Sequence, residues 1–431
     1  YSAVVNVTDI GMHAPPVQRK IKLGKPHAPP KTQAFDLSKP LPKNLKEAMA
    51  QVDNWNAEYG YKYAVERECG AWIAQGVLES TKPGDCLDDL TALNLGMQFT
   101  VKTDKKRQFK RAKLRLYVAA HERIVKQGEH YFENFSQTVG WGRLRQCCAQ
   151  ACEEGFVGCK QWDTCAAFLY AKNEPGTVVL IKLSEELAKA LNVTSFCWCV
   201  KAAYGLPSAP AQFMKFVRDI LVNDCGAAPS KHDEAVFIIR RGDKYVMICT
   251  WVDDFCVLYN CQKLYEETRD TYFDKVDGEE GDLDFMLGVN FEVDVELQRI
   301  KLHATTAIEK IAAKYGKPQR ESKVPMREED AELVHVELPE VDSMEWLDLR
   351  EQAGIYRSLV PSILYLATTC RPDICFAVGV LCRCLDNPSA RHIDAMWILL
   401  SYLVGTISFG VAYKHDVLTR GAHVVYSKLK D

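Results

Sequence analysis

The stretch TWVDDFCVLYN, residues 250–260, decides how this chain is read. KYVMICTWV before the acidic pair and FCVLY after it are rich in β-branched and aromatic residues, so the pattern predicts strand, tight turn, strand. Asp253 and Asp254 then fall at the tip of a hairpin. Two adjacent carboxylates between apolar strands repel one another, and each favours its protonated form unless a cation lies between them. A few oxygen ligands that leave room for water and phosphate suit magnesium better than a closed protein cage does. A polar hairpin tip explains the dipeptide about equally well, because Asp is a good turn former. A further carboxylate upstream raises metal chemistry above that plainer reading.

That carboxylate is Asp163, at the end of a short strand in VGCKQWDTCAAFLYA, residues 157–171. It precedes Asp253 by 90 residues, enough for a strand, a crossover and a helix before the hairpin. Alone, an Asp at a strand end reads as a cap; brought beside the VDD turn, it is a candidate metal ligand. Between them, GLPSAP at 205–210 reads as a turn whose Gly205 admits close backbone approach, followed by the amphipathic helix AQFMKFVRDILV.

QFTVKTDKKRQFKRAKLRLYV, residues 98–118, alternates apolar and basic positions on both sides of a charged turn and predicts a second hairpin. Lys102 and Arg115 are expected near the middles of its two arms, facing one anion together; a guanidinium suits phosphate bidentately. A lysine-rich edge that discourages aggregation is the bland alternative. Residues 101–145 hold twelve Lys or Arg against four Asp or Glu, although the whole chain carries a net charge of −3. A local basic surface of this kind is what a polyanion partner requires, and a solvated charged face explains it nearly as well. Residues 326–348 are the reverse, with nine acids against Arg327, and read as a solvated linker.

The chain's 431 residues suggest roughly three domains, and 47% hydrophobic with 26% charged residues is an ordinary soluble balance. No apolar run approaches the roughly 18 residues of a membrane span, no secretory signal opens the chain, and its start at Tyr1 suggests a fragment or cleaved product. An odd set of seventeen cysteines reads as reduced thiols in a cytosolic or nuclear compartment. Cys147, Cys148, Cys152 and Cys159 lack both a paired CxxC and a supporting His, which argues against zinc. Residues 1–44 are proline-rich, with APP at 14–16 and 28–30, and read as an arm without a fold; residues 45–78 show helical spacing.

The order of segments carries a resemblance. WDTCAAFL, KAAYGLPSAP, WVDDF, FMLGVNFEVD, YRSLVPSILYLATTCRPDICFAV and NPSARHIDAMWILLSYLVGT, preceded by KEAMAQVDNWNAEYGY and KLRLYVAAHERIVKQGEHYFENFSQTV, resemble in order the reverse transcriptase region of copia-type (Pseudoviridae-like) retrotransposon polyproteins, over residues 45–415. The resemblance implies an α+β right-hand polymerase. Fingers and palm, an antiparallel sheet with packed helices, would span 45–325 and include the primer grip. The acidic linker 326–348, a helical thumb or connection-like region at 349–415 and a tail at 416–431 would follow.

It further implies Asp163, Asp253 and Asp254 as catalytic metal ligands for Mg2+, or Mn2+, and Phe168 as the steric gate that rejects a 2′-hydroxyl. Lys102, Arg115, Tyr204 and Gly205 would bind the incoming dNTP, and Met286, Leu287 and Gly288 would form the primer grip. Partners would be dNTPs and a primed RNA or DNA template, in a cytoplasmic or nuclear retroelement particle, with no membrane. The chain departs from the family in having Trp251 where Tyr is usual, GLPSAP where GLKQAP is usual, and SYLVGT where RYLKGT is usual. No YSDAD box of a ribonuclease H domain follows VVYSKLKD. These departures keep a second expectation open, a co-opted fold that binds nucleic acid or protein without catalysis. A two-metal nuclease shares the carboxylates but not Phe168 or the basic hairpin.

Overall fold

The structure, a computed structural model, describes residues 35–415 except 86, 88, 89, 104–107, 122, 123 and 317–320. They divide into two compact units, the first drawn from residues 35–137, Thr164–Gly226 and Thr271–Gly278, the second from Thr138–Asp163, Ala227–Asp270 and residues 279–415. The α+β expectation holds in each: both combine sheets with packed helices.

In the first unit, five strands lie in the order Leu78–Ser80, Phe196–Cys199, Leu180–Lys182, Leu93–Thr103, Phe109–Val118. The last two form the expected basic hairpin, antiparallel with Phe99 opposite Leu114 and a bulge at Lys102/Thr103; its turn, 104–107, lies outside the described residues. Alternation sends Ala112, Leu114, Leu116 and Val118 into the core and leaves Arg111, Lys113 and Arg115 on the other face. The helix Tyr61–Gln75 packs on this strand through Tyr61, Ala64, Val65, Cys69 and Trp72. Deleting a buried aromatic as large as Trp72 costs about 3–5 kcal/mol. The Glu68 carboxylate fastens helix to strand, accepting from the Leu116 N–H at 3.0 Å and the Trp72 indole N–H at 3.3 Å. Burial pushes that carboxyl above its ordinary range.

The helical reading of 45–78 resolves into Leu45–Ala50, Val52–Asn56 and Tyr61–Gln75, the last closed by Gly76 at φ 59°. Residues 1–34 of the expected proline-rich arm lie outside the described residues. Residues 35–44 are not free of the fold: Phe35 stacks on Phe109 at 4.0 Å, and the Asn44 side chain caps the first helix by accepting from Glu47 N–H at 2.9 Å.

The second unit is built on six strands in the order Gly278–Asp282, Gly158–Thr164, Asp254–Tyr259, Lys244–Trp251, Val236–Arg241, Ala228–Pro229. The two central strands are buried along nearly their whole length, which explains why VMICT and FCVLY run apolar rather than alternating. A second sheet runs Phe285–Met286, Val289–Asp294, Arg299–His303, Gly410–Lys414. One core joins both sheets to the helices Trp141–Glu154, Thr305–Tyr315, Met344–Thr369, Cys375–Cys382 and Ala390–Gly405.

The boundary expected at 326–348 therefore does not separate two cores. Its acids are not all solvated either: Asp330 is fully buried, 2.6 Å from the Arg327 guanidinium, beside buried Leu333. Ser343 caps the helix Met344–Thr369, so the segment's end belongs to that helix. The described cysteines are free thiols. Cys147, Cys148 and Cys152 share a helix face that packs with Cys159, Cys249 and Cys256 in the core, where burial drives the Cys148 and Cys159 thiols well above their usual range. They behave as small hydrophobes. No helix among the described residues is long and apolar enough to cross a membrane.

Candidate active site

The hairpin of Lys244–Trp251 and Asp254–Tyr259 pairs Trp251 with Asp254, leaving Val252 and Asp253 as a two-residue turn. Val252 has φ 56° and Asp253 is not among the positive-φ residues, the pattern of a type II′ turn. A β-branched residue is poorly suited to that conformation, at a cost of about 1–3 kcal/mol. The buried strands impose it, helped by the Thr250 hydroxyl, which donates to Ala235 O at 3.0 Å.

On its other edge, Asp254–Tyr259 pairs with Gly158–Thr164, setting Asp254 directly opposite Asp163 and Phe255 opposite Trp162. Trp162 points inward, fully buried, with its indole N–H on Tyr265 Oη at 3.1 Å; alternation then turns Asp163 outward. Directly opposed residues share a sheet face, and two carboxylates there destabilise the pair unless something offsets their charge. Burial pushes the Asp254 carboxyl above its ordinary range, and the charges of Asp253 and then Asp163 push it the same way, while the Gln161 amide, 3.4 Å from Asp254 Oδ1, opposes them. Asp254 thus feels the charges of both other acids. The sequence reading paired Asp163 with Asp253; the register makes Asp254 its cross-strand partner, since turn and strand positions differ by one residue. Among the described residues no group of three His, Cys, Asp or Glu side chains is placed to hold a metal ion. Carboxylate oxygens alone are the donor type a hard cation takes, and such a cation would have to draw the rest of its shell from water or phosphate oxygens.

The expected primer grip is also a tight hairpin. Met286 pairs with Val289 across Leu287 and Gly288, whose φ values of 50° and 85° give a type I′ turn. Met286 is a core residue, only 1% exposed, which removes its side chain from any ligand surface and leaves the Leu287–Gly288 turn.

In the first unit the dNTP-binding candidates fall into two groups. Arg115 lies with its guanidinium 4.5 Å over the Tyr204 ring, and that ring meets Phe168 at 4.8 Å, so the three form one line. Gly205, at φ 92°, follows Tyr204 where an added Cβ would lie 2.1 Å from Val118 O, so the turn needs glycine to rest on the basic hairpin. The Tyr204 carbonyl accepts from Val118 N–H at 2.7 Å. Lys102 pairs with Arg111 at the turn end of the arm and Arg115 lies opposite Gln98, so the two residues expected to face one anion share a face of the hairpin at different rungs. Lys113 stands between them on the same face, and burial, then the charges of Arg115 and Lys102, lower its pKa. The reading from sequence missed Lys113 and Arg111, although K-x-R alternation in KRAKLR places them beside Arg115.

Comparison with known proteins bears on these features. A family model described as reverse transcriptase (RNA-dependent DNA polymerase) matches residues 88–326, more than half of the chain. The Retrovirus-related Pol polyprotein from transposon RE1 of Arabidopsis thaliana is 29% identical over 226 residues, 51% of this chain and 14% of the relative. That from transposon TNT 1-94 of Nicotiana tabacum is 26% identical over 316 residues, 72% of this chain and 23% of the relative. The putative transposon Ty5-1 protein of Saccharomyces cerevisiae is 24% identical over 218 residues, 49% of this chain and 65% of the relative. The chain spans a minor part of the plant polyproteins, and the family match covers five of the eight segments that carry the copia-type resemblance, leaving KEAMAQVDNWNAEYGY and the two segments beyond residue 326 outside it. With both acidic strands, the aromatic turn and the basic hairpin inside the matched region, the chain belongs to the reverse transcriptase (RNA-dependent DNA polymerase) family.

Proposed function

We propose that this chain is an RNA- or DNA-templated DNA polymerase of a copia-like retroelement, working in the cytoplasm or nucleus, and that Asp163, Asp253 and Asp254 carry its nucleotidyl transfer. The observation that carries the reading is the register of Asp163 against Asp254, with Asp253 in the adjoining turn. The primer 3′-oxygen attacks the α-phosphorus of a dNTP; the new P–O bond forms as the α–β phosphoanhydride breaks, pyrophosphate leaves, and the hydroxyl proton passes to solvent.

Mg2+ or Mn2+, when bound, supplies positive charge that acidifies the 3′-hydroxyl and offsets charge on the departing pyrophosphate. Asp163 and Asp253 would hold it, and Asp254 would add its charge from the strand, oriented by Gln161. In the first unit, Arg115, Lys113 and Lys102 would neutralise a triphosphate, and Phe168 against Tyr204 would refuse a 2′-hydroxyl. Leu287 and Gly288 would hold the primer end by backbone contact. In this reading the first unit is fingers-like, and the second combines palm with a helical thumb or connection.

Primer extension with Mg2+ and dNTPs on RNA and DNA templates tests it. Extension is expected, and Asp253→Asn should lower it by about 10³-fold without lowering the melting temperature. Extension indifferent to Asp253→Asn overturns the assignment. Salt-dependent primer–template binding with no extension would identify a co-opted, non-catalytic fold.

A further inference from the structure

In the second unit, a line of aromatic rings runs between the two strained turns. Trp251, the last residue of its strand, meets Trp141 at 5.4 Å and 44°, and Trp141 meets Tyr365 edge-on at 6.3 Å and 80°. Trp141 opens the helix Trp141–Glu154, and Tyr365 lies on the helix Met344–Thr369. The Tyr365 hydroxyl donates to the Leu287 carbonyl, inside the type I′ turn, and a Cβ on Gly288 would sit 3.6 Å from the Tyr365 ring. At the other end, Val139 N–H donates to Thr250 O at 3.0 Å, tying the approach to Trp141 to the residue before Trp251.

These rings do not belong to the deep core. Trp162 is 0% exposed, whereas Tyr365 is 39% exposed and both Trp141 and Trp251 are only partly buried. Each end of the line rests on a turn that holds a bulky residue at positive φ, Val252 at 56° and Leu287 at 50°. Such a conformation persists only where its surroundings over-determine it. Neighbouring packing supplies that constraint here.

We infer that Trp141 and Tyr365 are positioning residues: Trp251, Trp141, Tyr365 and the Leu287 carbonyl form one bridge that sets the spacing between the Val252–Asp253 turn and the Leu287–Gly288 turn. The inference rests on the proposed function, in which the first turn presents the carboxylates and the second the primer end. In-line attack tolerates little error in that spacing, and a misplacement of about 1 Å can cost about 10²-fold in rate.

Two measurements test the bridge. In protein labelled with 5-fluorotryptophan, the Trp251 resonance is assigned by its loss in Trp251→Phe. Tyr365→Phe, which removes one hydroxyl, should shift or broaden that resonance without any nucleic acid present. In single-nucleotide incorporation, Tyr365→Phe should lower kcat by about 10-fold while the dNTP KM and the primer–template Kd stay within about twofold. Trp141→Leu should give the same kcat-selective loss, and the double variant should be no worse than Trp141→Leu alone, because both cut one bridge.

A Trp251 resonance unmoved by Tyr365→Phe, a loss carried by KM, or additive losses in the double variant overturn the bridge. If the parent protein extends no primer, the functional reading fails, while the fluorine signal still decides the bridge.

Discussion

The hairpin Lys244–Trp251 with Asp254–Tyr259 is buried along most of both arms and closes through two residues, whereas the hairpin Leu93–Thr103 with Phe109–Val118 keeps one face basic and open and carries a bulge. The first presents carboxylates, which in the proposed reading hold a cation and would need sub-ångström placement to do so. The second presents cations, whose attraction for a phosphate falls slowly with distance and tolerates looseness. Burial and exposure are thus divided between the two hairpins as the proposed roles of their charges would require.

The sharpest way to break this contrast is Asp253→Asn, with the loss of about 10³-fold in primer extension expected above. An equal loss from any single basic residue of the open hairpin would erase the distinction. Next in size is Gly205→Ala. Its φ of 92° and the 2.1 Å approach of the new Cβ to Val118 O leave no room, so thermal unfolding should show a loss of about 3 kcal/mol. That result would locate rigidity in the first unit at this turn rather than along its basic strands.

Arg115→Ala should cost only a few-fold in primer–template or dNTP binding and reduce the slope of log K against log salt by about one, read by titration at several salt concentrations. Arg115→Lys should restore the salt slope but not the stacking on Tyr204. The smallest effect concerns Asp254. Its carboxyl is raised in the folded protein, so its contribution to stability is fully present below the unfolded value, 3.8, and is lost as pH rises through the folded value. In metal-free protein at neutral pH, Asp254→Asn should therefore stabilise, by less than about 1 kcal/mol. Melting curves against pH with chelator should show the gain, and added Mg2+ should reverse the order of the two proteins.

Much of this arrangement was legible because the pattern of each segment is dictated locally. Apolar β-branched runs around VDD allow only buried strands, and alternation in QFTVKT and KRAKLRLYV allows only a hairpin with one charged face. Register was not legible: whether Asp163 faces Asp253 or Asp254, and whether Lys102 faces Arg115 or Arg111, depends on where strands from distant parts of the chain come to pair. The acidic segment misled for a related reason. Nine acids in 326–348 suggest solvation, yet Asp330 is buried because Arg327 is held beside it. Met286 looked available in FMLG, but the hairpin turns it into the core.

By itself, the sequence determined which short segments become strands, where glycine is unavoidable and which residue types carry acid, base and aromatic chemistry, because backbone preference and side-chain alternation act over a few residues. Only the tertiary structure decided that Asp163 stands opposite Asp254, that Asp330 is interior, and that Trp251, Trp141, Tyr365 and Leu287 line up across four separate segments. Those relations arise from packing between residues far apart along the chain, which no local pattern encodes.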